Sequence, residues 1–125
     1  MVLADTSIWV EHFRRANPVL QSLVASDQVL CHPLIVLELA CGSPPAPRSR
    51  TLADLRRLQQ VVVATTDETL ELIEKKRLHE SGCGALDVAL LASVLLTPDA
   101  LLWTADRKLE ALAARSRVDY RPIRH

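Results

Sequence analysis

The sequence predicts an α/β protein in which a parallel sheet is covered on both faces by helices. Short aliphatic runs alternate along the chain with longer stretches of helical spacing, the pattern of a sheet whose strands are buried on both sides. Glycine is scarce, at 3 of 125 residues, which disfavours a barrel or sandwich with many tight turns. Apolar residues make up 49% and charged residues 24%, so the chain can bury a core and does not have the composition of a disordered segment. Its length fits a single domain over 1–125.

Taken in order, Val2–Asp5 reads as a short buried strand and Ser7–Arg14 as a helix. Asn17-Pro18 supplies an N-cap and first helical residue, with Leu20, Leu23 and Val24 following on one face. Gln28–Cys31 is a second strand, and Pro33 to Cys41 a helix ended by Gly42 and a proline-rich loop. Thr51 to Asp54 reads as a capping box ahead of Leu52, Leu55 and Leu58 at helical spacing. Val61–Val63 reads as a β-branched strand, and Thr65–Glu68 caps a helix reaching about Ser81. Leu86–Leu96 is a helix closed by Pro98, Leu101–Thr104 a strand, and Asp106–Arg115 a helix. Val118–Tyr120 is a candidate last strand.

Fifteen basic and fifteen acidic residues cancel, so any nucleic-acid site has to be local rather than a global field. The stretch from Arg107 to His125 carries six basic and two acidic residues, a local excess of four positive charges. Cys31, Cys41 and Cys83 have no CxxC spacing, which argues against zinc and disulfides. Cys31 and Cys41 read as small core residues, and a reducing cytoplasm suits them. Neither a signal peptide nor an apolar run of about 18 residues is visible, so no membrane association is expected.

Four acids stand out by their surroundings. Asp5 and Asp106 each follow a predicted strand, at the edge where open parallel sheets bind ligands. Either one alone also fits a helix N-cap. Glu38 interrupts a helix that is apolar nearly all round, where a carboxylate must be paired, neutralised or metal-bound. An ion pair with an arginine would serve equally well there. Asp87 is the sole charge of Leu86–Leu96, and as a first-turn acid it also suits the helix dipole. Each bland reading is plausible alone. They are less plausible together, because all four acids belong to elements that meet at one sheet.

With these residues in place, the chain resembles the PIN domains, and in particular the compact bacterial VapC toxins of toxin–antitoxin pairs. The resemblance covers essentially the whole chain. It rests on Asp5-Thr6-Ser7, on Glu38 within Val36–Leu39, on Asp87 within Ala85–Ala92, and on Thr104-Ala105-Asp106-Arg107. It implies a three-layer α/β/α sandwich around about five parallel strands. It also implies that Asp5, Glu38, Asp87 and Asp106 form an acidic quartet supported by the hydroxyls of Thr6 and Thr104. One departure is Asp99, in a loop where relatives often carry glycine or another small residue. Another is an aromatic content of 3%, which leaves few platforms for base stacking.

A carboxylate cluster is a hard-oxygen site, suited to Mg²⁺ or Mn²⁺ rather than zinc. Such a cation can assist attack of water on a phosphodiester. Asp5 and Asp87 are the expected direct ligands, Glu38 a ligand or orienter, and Asp106 an outer or second-metal ligand. Arg107 and Lys108 are candidates for the RNA backbone or for an antitoxin peptide, with Arg14 and Arg15 as further candidates. The expected function is a metal-dependent endoribonuclease acting as a toxin, with RNA as substrate, a VapB-type antitoxin as partner and a homodimeric state. Two alternatives remain open at this point. A receiver- or dehalogenase-type phosphotransfer enzyme would need a DxD pair, but Thr6, Ser7 and Ile8 follow Asp5. A non-catalytic PIN-like interaction module should have lost at least one of the four acids. His12, His32, His79 and His125 show no paired metal spacing, and Ser7 lacks a nucleophile elbow.

Overall fold

The computed structural model describes residues 1–122. Four parallel strands run β1 (Val2–Ala4), β2 (Val29–Cys31), β3 (Gln59–Gln60) and β4 (Leu101–Trp103), in the spatial order β3-β2-β1-β4. The helices are α1 (Thr6–Arg14), α2 (Pro18–Ala25), α3 (Pro33–Cys41), α4 (Arg48–Arg57), α5 (Thr66–Lys76), α6 (Ala85–Leu96) and α7 (Arg107–Arg115). They flank the sheet as the outer layers of an α/β/α sandwich. The three residues of β1 and of β2 are all buried, which explains why neither strand alternates in polarity. The chain runs from β1 outward to β2 and β3, then returns to the other side of β1 as β4. The direction of winding therefore reverses between β1 and β4, and ligands of open α/β sheets bind outside such a switch point. Among the described residues no helix is long and apolar enough to cross a membrane.

The structure differs from the sequence reading at the open edge of the sheet. Val61–Val63 does not form a strand; pairing falls on Gln59–Gln60, against Leu30 and Cys31. Beyond Val61 the chain leaves the sheet because two hydroxyls of α6 and its C-cap capture its amides. The Val62 amide donates to the Thr97 hydroxyl at 2.9 Å, and the Ala64 amide to the Ser93 hydroxyl at 3.0 Å. At the opposite edge, the fifth strand anticipated at Val118–Tyr120 is reduced to one parallel bridge, Leu102 to Asp119.

Helix boundaries also shift where a side chain finds another partner. Helix α4 begins at Arg48, behind Pro47, and Thr51 does not cap it; its hydroxyl donates to the Pro45 carbonyl at 2.8 Å. The helix capped by Thr65 stops at Lys76. Arg77 then turns left-handed, at φ 53°, and a short 3-10 turn tucks Leu78 into the core. The Thr65–Glu68 capping box forms as expected. Cys31 is buried as anticipated, but Cys41 is exposed. Asp99 adopts φ 58°, a conformation that glycine takes without strain and that gives its loop a physical reason to favour a small residue.

Candidate active site

The β1–β4 switch point brings two of the four acids together through backbone alone. Ala4 pairs with Trp103, so the residues that follow these strands emerge side by side. Asp5 is held there by its amide, which donates to the Trp103 carbonyl at 3.0 Å. It also caps α1. Its Oδ1 accepts from the Ser7 hydroxyl at 2.5 Å and from the Ile8 amide at 3.3 Å. The side chain is only 5% exposed, and burial pushes its carboxyl above the usual 3.8. Hydrogen bonds from Ser7, Thr104 and the Ile8 amide pull the other way.

Asp106 repeats the device one strand over. It caps α7, accepting at Oδ1 from the amides of Lys108 at 2.9 Å and Leu109 at 3.0 Å. Its own amide donates to the Thr104 hydroxyl at 3.0 Å. Both strand-end acids thus meet the N-cap description and the ligand-edge description at once; the two readings are not rivals. Capping orients each carboxylate and occupies one of its oxygens.

Asp87 lies in the first turn of α6, half-buried. Its carboxyl is pushed above the usual range first by burial, then by the negative charges of Asp106, Asp5 and Glu38. The charges of Asp106, Asp5 and Glu38 all reach Asp87. Glu38 does so from α3, where the Thr6 hydroxyl at the start of α1 donates to its Oε1. The sequence argument for Glu38 needs correcting. Helix α3 is apolar nearly all round, yet only Ile35 and Leu39 are buried on it, and Glu38 is exposed. Leu37, at 59% exposure, shows that apolar composition did not make this helix internal.

Arg107 and Lys108 occupy the exposed first turn of α7, and neither forms an ion pair with a described residue. Lys108 extends past Gly82, whose φ is 83° and where a Cβ would come within 2.9 Å of the Lys108 Cδ. Arg14 lines a groove with Thr6 and Glu38. Cys83 sits near the same cluster, and burial pushes its thiol up, with Asp87 and Asp106 adding to the effect. His125 lies outside the described residues.

The sequence reading missed the role of Ser7, which it weighed only as a nucleophile. The Ser7 hydroxyl donates to Asp5 and accepts from the Ala105 amide at 3.0 Å. It therefore ties the loop after β1 to the loop after β4. The signal was the third residue of Asp5-Thr6-Ser7, two positions beyond a strand-end acid.

The comparison with known proteins agrees with this geometry. The PIN-domain family model matches residues 2–115. Ribonuclease VapC32 of Mycobacterium tuberculosis, strain H37Rv, is 46% identical over 118 residues, spanning 94% of each chain. The protein of the same name in strain CDC 1551 matches with the same identity and coverage. An acidic cluster at the β1–β4 switch point, in a chain so similar along its length, leads to one conclusion: this chain belongs to the PIN-domain family, on its VapC branch.

Proposed function

We propose that the protein is a divalent-metal-dependent endoribonuclease that acts as the toxin of a toxin–antitoxin pair. The observation that carries this reading is the convergence at the β1–β4 switch point, where Asp5 and Asp106 cap the helices that follow neighbouring strands and Thr6 ties Glu38 to the start of α1. Four carboxylates repel a phosphodiester unless a cation joins them. The donor set is all oxygen, as Mg²⁺ or Mn²⁺ prefers. Among the described residues no three acidic, histidine or cysteine side chains close into a cage. A cation bound here would keep waters and complete its shell with substrate phosphate.

In this reading Asp5 and Asp87 would hold the cation, Glu38 would hold it or orient a water, and Asp106 would stand behind them or serve a second ion. When bound, the metal supplies charge neutralisation at phosphorus and a more acidic attacking water. The residues do the rest. Thr6 orients Glu38, while Ser7 and Thr104 orient Asp5. A carboxylate of the cluster accepts the proton of the water that attacks phosphorus. Arg107 and Lys108 neutralise backbone phosphates alongside. The phosphorus–O3′ bond breaks, leaving a 5′-phosphate and a 3′-hydroxyl.

The test is incubation of purified protein with RNA, with Mg²⁺ or Mn²⁺ and with chelator, followed by chemical mapping of the ends. Cleavage should require metal and leave 5′-phosphates; cyclic phosphates, or full activity in excess chelator, would overturn the mechanism. Ser7→Ala should lower cleavage about 10- to 100-fold, the usual effect of removing a group that orients a metal ligand. A matching melting curve separates that loss from unfolding; undiminished cleavage would remove Ser7 from the site.

The partner is a VapB-type antitoxin, whose arginine or lysine could enter the acidic cluster in place of metal. A homodimer belongs to this reading, and exposed Leu37, Leu70, Leu95 and Leu96 are among the apolar side chains available to such an interface. A cytoplasmic location belongs to the same reading, since it would bring the protein together with RNA.

A further inference from the structure

A cavity of about 760 Å³ opens beside the β4–α7 turn. Its size is that of a small-ligand site. Thr104 and Ala105 form part of its wall, so it begins one residue from Asp106. Trp103 and Tyr120 line it, with ring centroids 5.3 Å apart and planes tilted by 59°. Trp103 is nearly buried and backs Tyr120, which is half-exposed. The chain has only four Trp, Tyr and Phe residues, and two of them stand here.

The charged groups around this cavity differ in their commitments. Glu110 is engaged by Arg121 at 3.7 Å, and Arg121 also binds Asp119 at 2.8 Å. Glu11, exposed on α1, forms no ion pair with a described residue. Arg107 lines the same cavity from the first turn of α7. An aromatic face, a carboxylate with no ion pair among the described residues and an arginine thus surround one space.

We propose that this cavity is a guanine subsite for a nucleotide flanking the scissile phosphate, an inference that rests on the ribonuclease reading above. Single-stranded RNA is read by splaying a base onto an aromatic ring and bonding its Watson–Crick edge. Tyr120 supplies the ring. Glu11 is an acceptor only. Guanine offers it two adjacent donors, N1–H and N2–H, which match the two oxygens of one carboxylate. Adenine and cytosine place an acceptor next to their single amino group, and uracil flanks its one N–H with two carbonyls; each would set a lone pair against the carboxylate. Arg107 holds the phosphate attached to the bound nucleotide.

Binding and cleavage test this separately. In chelator, guanosine 5′-monophosphate should quench tryptophan emission through Trp103, and cytidine 5′-monophosphate should not. Glu11→Gln should weaken the guanosine nucleotide at least tenfold. Tyr120→Leu should weaken it about 5- to 150-fold, the range for loss of one stacked base. Tyr120→Phe keeps the ring and should bind as wild type does, which guards against misreading a folding defect. On an unstructured RNA of mixed sequence with metal present, wild type should cut beside guanine, and Glu11→Gln should lose that preference. Equal binding of the two nucleotides, or an unchanged cleavage pattern in Glu11→Gln, would overturn the subsite while leaving the ribonuclease in place. Selective guanosine binding by a protein that cuts no RNA would instead overturn the ribonuclease reading and keep a guanine site.

Discussion

Asp87→Asn will abolish RNA cleavage yet leave the metal-free protein at least as stable as wild type. Loss of a group that merely orients a ligand costs about 10- to 100-fold, so loss of a direct ligand should exceed about 100-fold. The stability forecast follows from the direction of the Asp87 shift. Its carboxyl is raised above 3.8 in the folded protein by burial first and by Asp106, Asp5 and Glu38 next. The folded state therefore holds the proton more tightly than the unfolded state. Above the raised value the charge is present in both states and opposes folding; as pH falls through that value, the penalty is relieved. Asparagine removes it at every pH. Against this stands a lost interaction with the α6 dipole, about 0.3–1 kcal/mol. Added Mg²⁺ at one hundred times its dissociation constant would stabilise wild type by about 2.7 kcal/mol. The variant should gain clearly less. Retained cleavage, together with equal metal-induced shifts in melting temperature, would remove Asp87 from the site.

Such a substitution could be chosen from sequence because strand ends are legible there. Asp5 and Asp106 each follow a wholly or nearly wholly buried aliphatic run, and a parallel sheet has no other way to place them than at its carboxyl edge. Asp87 was legible as the lone charge of an apolar helix. Glu38 was chosen for a reason the structure does not support, since its helix turns Leu37 and Glu38 outward. Helical periodicity identifies a stripe only when the other face is polar, and α3 has no polar face to mark which side is buried.

What escaped the sequence were particular hydrogen bonds. Thr51 has the composition of a cap, but the Pro45 carbonyl claims its hydroxyl. Val61–Val63 has strand propensity, but Thr97 takes the Val62 amide and Ser93 the Ala64 amide, which draws the chain off the sheet. Ser7 looks ordinary until Ala105 is brought to it from 98 residues away. Each is a hydrogen bond overriding a local preference, and for Val62, Ala64 and Ser7 no local window contains both partners.

His32→Ala should destabilise the protein by about 3 kcal/mol, combining a lost cap with buried polar groups left unpaired. His32 is 1% exposed and follows β2 directly. Its Nδ1 accepts from the Leu34 amide at 3.0 Å, capping the helix that carries Glu38. That fixes the tautomer: Nε2 carries the hydrogen and donates to the Ser93 hydroxyl at 3.0 Å. Ser93 donates in turn to the Ala89 carbonyl at 2.9 Å and accepts from the Ala64 amide. One imidazole thus joins α3, α6 and the chain leaving β3. Burial holds its pKa below the usual 6.5, so the folded protein keeps it neutral while the unfolded chain takes up a proton. Stability should therefore fall as pH drops below 6.5, by at most about 1.4 kcal/mol per pH unit, and level off below the depressed folded value. His32→Asn keeps a capping oxygen and should recover about 1 kcal/mol of the alanine loss. It has no imidazole to protonate, so its unfolding free energy should decline less than that of wild type between pH 7.5 and 5.5. Urea unfolding at the two pH values decides the matter; parallel declines would mean that His32 is not the group held neutral by the fold.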